Sequence, residues 1–132
     1  MILYFMEEMV NFGVPWENSY GYSQAVRAGN MVFISGQLSH DEQGNFIGEG
    51  DFEKQLRQAY ANIKLLLGKF GLGFDNIVSE TIYVTDLASQ AETLSRVHRE
   101  FFPKSRVTST VVEIKRLFFP QQLLEISAIA VK

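Results

Sequence analysis

The sequence predicts an α+β fold: one mixed sheet of about six strands with two helices on one face, in the order β-β-β-α-β-α-β-β. Three observations predict it. Residues 51–70 place Phe52, Leu56, Ala59, Tyr60, Ile63, Leu66, Leu67 and Phe70 at three-and-four spacing, a single apolar helical stripe. Residues 89–102 repeat the pattern with Leu94, Val97 and Phe101 before Pro103 stops them. The remaining apolar runs are short and bounded by turn residues, as strands are. A helix with one apolar face must lie on something, and the strands are the layer available.

The 132 residues read as a single domain, 1–132, long enough for a core without staples. Taken in order, residues 2–6 form a short first strand. Residues 11–21, with two Gly, one Pro and two Asn, read as a loop that Trp16 ties to the body. Residues 22–28 and 31–37 flank Gly29-Asn30 and make a hairpin. Residues 39–50 are loop. Asp51 caps the first long helix and Gly71 ends it. Residues 76–84 form a strand with Val78, Ile82 and Val84 on one side and Ile77, Thr81 and Tyr83 on the other.

Residues 108–132 read as a closing hairpin with Pro120 in its turn. On its last strand Ile126, Ala128 and Ala130 share the face under the helices, and Glu125, Ser127, Ile129 and Val131 share the other. That second face is too apolar for water, so another subunit is expected to cover it. Glu125 is the anomaly, a carboxylate between Leu124 and Ile126. It either pairs with a cation such as Lys115 or Arg116 of a neighbour, or faces a wet cleft and acts there.

Composition excludes several functions. The net charge is −3 and no basic stripe exists, which speaks against a nucleic-acid partner. No apolar run reaches the roughly 18 residues of a membrane span. No signal peptide is read at the N-terminus, and the expected location is cytoplasmic. With no Cys and two distant His, His40 and His98, neither a metal site nor a thiol nucleophile is expected. His98 reads as an amphipathic surface residue on a helix flank.

Four segments together resemble the RidA/YjgF family, the reactive-intermediate deaminases also catalogued as endoribonuclease L-PSP. They are Tyr22-Ser23-Gln24-Ala25-Val26, the run from Val32 to Gln37, Val84-Thr85-Asp86, and the run from Leu124 to Ala130. The resemblance implies a chorismate-mutase-like subunit and a homotrimer with small-molecule clefts between neighbours. It implies cofactor-independent hydrolysis of an imine or enamine, a reaction at a C–N bond. By the same resemblance Glu125 is the catalytic acid, and Tyr22, Ser35 and Gly36 bind substrate.

The residue that resembles the family's substrate-binding Arg is Thr108, in Arg106-Val107-Thr108-Ser109-Thr110-Val111. Arg106 offers a cation from a shifted position, about 7 Å along the strand. A substrate different from the standard 2-imino acids is therefore expected, with a non-catalytic ligand-binding or regulatory trimer as the alternative. The turn Leu117-Phe118-Phe119-Pro120-Gln121-Gln122 is longer and more apolar than its counterpart in the resembling family.

Overall fold

The computed structural model describes residues 8–132; the strand expected at residues 2–6 lies outside the described residues. Six strands form one sheet: β1 (Glu8–Val10), β2 (Ala25–Ala28), β3 (Met31–Gln37), β4 (Ile77–Val84), β5 (Thr108–Glu113) and β6 (Leu124–Val131). Three helices accompany them: α1 (Pro15–Tyr20), α2 (Phe52–Gly68) and α3 (Leu87–Phe101). The α+β class and the mixed sheet are as expected. The third helix, α1, was expected as loop. Pro15 starts it at a position where its missing N–H costs nothing, and Gly21 ends it with φ 88°.

The local signals for α2 hold. Asp51 accepts a hydrogen bond from the Lys54 amide at 3.0 Å. Gly71, with φ 73°, closes the far end, where Leu72 N donates to Leu67 O at 3.0 Å and Gly71 N to Gly68 O at 3.1 Å. Gln55 and Asn62 are buried within the helix and fasten loops to it. Gln55 reaches Gly48 O, Gln121 O and Leu123 N, and Asn62 reaches Leu38 O and His40 O.

The strand order is β1-β2-β3-β6-β4-β5. The expected closing hairpin is therefore wrong: β5 and β6 do not pair. β6 lies between β3 and β4, antiparallel to both, and β5 runs parallel to β4 at the sheet edge. The reason is physical. A strand, helix and parallel strand in sequence make a compact crossover, so β4-α3-β5 closes on itself. Every residue of β5 is exposed, as suits an edge, whereas β6 alternates buried and half-buried along its whole length, as suits a centre.

Face assignment follows the pleat, with one exception. Ile126, Ala128 and Ala130 pack toward α2 and α3 with Val32, Ile34, Ile82 and Val84, in one core. In β4 a register shift between Ile77 and Ser79 turns Ile77 inward and leaves Val78 exposed. The single-parity reading of β4 fails at that bulge. On the other face Met31 and Phe33 of β3 and Val112 of β5 stay exposed.

His98 is also corrected. Its ring stacks on Phe102, and its Nε2 meets the carboxylate of Glu80, which is buried on β4. The Tyr60 hydroxyl donates to the other oxygen of Glu80 at 2.8 Å. One buried carboxylate thus ties β4 to both α2 and α3.

Tyr60→Phe should lower the unfolding free energy by about 1–3 kcal/mol, because Glu80 loses a buried donor. Burial first, then the charge of Glu80, holds the Tyr60 phenol far above its ordinary 10.0. The folded chain keeps this proton where the unfolded chain releases it. Stability from this group is full below about pH 10 and falls as pH rises beyond it. Urea titrations should show the wild type losing its lead over Tyr60→Phe above pH 10. Equal stability of the two at pH 8 would contradict this role of Tyr60.

Candidate functional site

Glu125 lies on the sheet face opposite α2 and α3, paired across the sheet with Tyr83 of β4. Its other neighbour, β3, shifts register between Ile34 and Gln37, and Gly36 lies in that irregularity. The place of Gly36 is dictated by contact. A methyl group there would meet Glu125 Oε2 at 2.2 Å. Glycine gives the carboxylate its room.

The carboxylate is half-buried and has no ion pair among the described residues. Its polar neighbour is Gln122, whose Nε2 reaches Glu125 Oε1 at 3.4 Å. Burial raises the Glu125 pKa above its ordinary 4.5, and the Gln122 contact offsets part of that rise. Neither Lys115 nor Arg116 of the same chain pairs with it.

A cleft of about 580 Å³ opens over Glu125, within the size range of small-molecule sites. Tyr22, Ser35, Gly36 and Glu125 line it together. Within one chain, Thr108 and Arg106 do not join them. Thr108 pairs with Ser79, four residues along β4 from the partner of Glu125, and its hydroxyl donates to Val78 O at 2.9 Å. Arg106 precedes β5, in exposed loop, so the strand does not extend far enough to align it.

Tyr22 is oriented by a chain of amides. Gln37 Nε2 donates to Gln24 Oε1 at 2.8 Å and to Ser35 O at 2.9 Å, two acceptors that fix which end of the amide faces them. Gln24 Oε1 is thereby an acceptor, and its Nε2 donates to the Tyr22 hydroxyl oxygen at 3.1 Å. The Tyr22 proton is left to donate into the cleft. Burial is the main cause that raises the Tyr22 pKa, with the charges of Glu17 and Glu125 adding to it, so the phenol keeps that proton at neutral pH.

Sequence reasoning missed the rest of the wall. Glu17 accepts from the amides of Phe12 and Gly13 at 2.8 and 2.9 Å and anchors α1. That helix presents Trp16 and Tyr20 to the cleft, so Trp16 is more than a loop anchor. Residues 114–123 supply the opposite wall with Arg116, Phe118 and Phe119. They do so because β5 and β6 are not a hairpin. Glu113, Val84 and Leu124 stand side by side, so this connection crosses the end of β4 with length to spare. The unusual length and apolarity of the turn were the available signals.

A second cavity of about 350 Å³ lies on the helix side, lined in part by His98, Arg99 and Val111. The carboxylate behind it, Glu80, is already occupied by Tyr60 and His98. Among the described residues, no group of three or more His, Asp or Glu is placed to hold a metal ion.

A six-stranded mixed sheet backed by helices, with an acid that has no ion pair among the described residues in an aromatic cleft on its open face, defines a small α+β protein with a candidate site at that cleft. Comparison with known proteins gives the family. The family model described as Endoribonuclease L-PSP matches residues 16–132, and the chain belongs to that family. A RutC family protein of Pyrococcus horikoshii is 38% identical over 112 residues, covering 84% of this chain and 86% of the relative. An Escherichia coli protein, TdcF, whose name assigns it provisionally to the reactive intermediate deaminases, is 36% identical over 115 residues, covering 84% of this chain and 86% of its own. The crystal structure of a Mycobacterium tuberculosis member of the YjgF/YER057c/UK114 family superposes with a TM-score of 0.85 at 34% identity. It covers 96% of this chain and 99% of that one.

Gly36→Ala should destabilise the protein by about 1–3 kcal/mol, because Glu125 must leave its position. Most of that cost should vanish in a Glu125→Ala background, where the colliding atoms are gone. A double-mutant cycle by chemical denaturation measures it. An equal cost in both backgrounds would show that Gly36 serves the backbone and not Glu125.

Proposed function

We propose that this protein is a cofactor-independent hydrolase that deaminates a reactive imine, or an enamine through its imine form, in the Glu125 cleft. The observation that carries this reading is the unpaired, partly desolvated carboxylate of Glu125 in an open cleft with the donor hydroxyl of Tyr22. The provisional name of the TdcF relative supports the same class of reaction.

The chemistry needs only these parts. Water adds to the imine carbon while Glu125 accepts one of its protons, and the C–O bond forms as the C=N π bond breaks. Glu125 passes that proton to the nitrogen, with the Tyr22 hydroxyl hydrogen-bonding to the substrate. On collapse of the resulting amino alcohol the hydroxyl proton moves by way of Glu125 to the nitrogen as the C–N bond breaks, giving a carbonyl compound and ammonia and leaving Glu125 ionised. A raised Glu125 pKa suits the task, since it makes the carboxylate a stronger base than a solvated glutamate.

The working unit in this reading is a homotrimer in a cytoplasm. Met31, Phe33 and Val112 are exposed on the sheet face that bears Glu125, which supports burial of that face against other copies. The chain contains no helix long and apolar enough to cross a membrane among the described residues. Nucleic acid is not the proposed partner, given the net charge of −3.

A non-catalytic, ligand-binding trimer is the second reading. Thr108 at the position of the expected Arg favours it, since loss of a charge-assisted contact costs about 2–5 kcal/mol of binding.

Ammonia release from enzymatically generated 2-aminoacrylate, and from a panel of uncharged imines, separates the two. At least one uncharged or bulky imine should turn over above the spontaneous rate. Glu125→Ala should reduce that rate by roughly 10²–10⁴-fold. Binding without turnover across the panel would establish the ligand-binding reading instead.

A further inference from the structure

The cleft holds one acid, Glu125, and one basic side chain, Arg116. They are not partners. No salt bridge joins them, and Arg116 has no ion pair with any described residue. Arg116 is not among the causes that move the Glu125 pKa, which shifts upward, opposite to what a paired cation would do. This chain therefore contributes to the cleft a cation and a carboxylate that do not pair with each other.

Aromatic side chains make up much of the remaining wall. Trp16 and Phe119 meet edge to face with ring centroids 5.3 Å apart, and Phe119 meets Phe118 at 5.1 Å. Tyr20 and Tyr22 meet at 5.7 Å. Tyr20 is 75% exposed and Phe118 is 73% exposed, so both offer surface that a ligand can cover. Arg116, Leu117, Phe118 and Phe119 follow one another in the same connection, so cation and rings are presented as one unit.

We propose that the cleft is built for a small aromatic carboxylate, or the imine of one, with Arg116 holding the acid group and the ring seated among Trp16, Tyr20 and Phe118. This rests on the proposed function for its reaction but not for its binding. Arg116 is suited to the acid, because a guanidinium grips a carboxylate with two parallel hydrogen bonds and also lies well against aromatic faces. The other end of the ligand then comes to the Tyr22 donor and Glu125. In this arrangement the acid group is held from the connection between β5 and β6 and not from the strand position of Thr108.

The sequence contains one tryptophan, and it lines this cleft, so ligand entry is readable directly. Trp16 fluorescence of the purified, assembled protein should be titrated with 3-phenylpropionate, propionate and 3-phenylpropanamide. The expected result is a saturable change with 3-phenylpropionate at least tenfold tighter than with either of the others, since propionate lacks the ring and the amide lacks the charge. Arg116→Gln should erase the preference for the acid over the amide while leaving amide binding unchanged. Phe118→Ala should weaken both aromatic ligands and not propionate. Both residues are exposed on a connection, and far-UV circular dichroism checks that the variants fold.

Equal affinity for propionate and 3-phenylpropionate would overturn the aromatic assignment. An unchanged acid preference in Arg116→Gln would overturn the role of Arg116. Absence of turnover in the presence of selective binding would overturn the hydrolase and leave this assignment standing.

Discussion

A carboxylate on a central strand, half out of water and with no cation paired to it among the described residues, is costly, and much of the open face is arranged around that cost. Glu125 is tolerated because Gly36 has no side chain, because β3 breaks its register beside it, and because Gln122 supplies one weak donor. The same chain buries a second acid, Glu80, and treats it differently. Glu80 receives Tyr60 and His98 and serves packing. The buried Glu80 and the half-buried Glu125, on adjacent strands, thus differ in their partners: two close ones for Glu80 and one distant amide for Glu125.

The topology explains how the cleft gains its walls. β6 fills the centre of the sheet late in the chain, so the connection from the edge strand β5 must cross β4. Its excess length carries Arg116 to Phe119 over Glu125. On the other side α1, anchored by Glu17, brings Trp16 and Tyr20. The amide chain from Gln37 through Gln24 sets the polarity of Tyr22 from the core side of the sheet. Glu125 and Gly36 stand on strands, while Trp16, Tyr20 and the run from Arg116 to Phe119 ride on α1 and a connection, so that wall can vary without disturbing the sheet.

Much of this was legible in the sequence. Helix periodicity placed α2 and α3 within a few residues, and parity along β6 separated its two faces correctly. The odd acid at 125 was visible as an odd acid. What failed did so for non-local reasons. Adjacent strands joined by a proline turn look like a hairpin, and only the β4-α3-β5 crossover forbids the pairing. A bulge shifts parity with no composition signal, so Val78 and Ile77 exchanged sides. His98 looked superficial because its partner, Glu80, lies 18 residues away on a strand. The wall formed by Arg116 and Phe118 was hidden for the same reason as the hairpin error, since a turn that closes a hairpin has no reason to reach across the sheet.

Glu125 is a partly desolvated carboxylate with no ion pair among the described residues. A pH titration of the side-chain carboxyl carbons by ¹³C NMR, with Glu125→Gln to assign the signal, reads that state. The expected result is a Glu125 midpoint clearly above the ordinary 4.5, which rises neither on removal of Arg116 nor on addition of salt. A midpoint at or below 4.5, or one that rises when Arg116 is replaced, would show an ion-paired structural acid and contradict the claim.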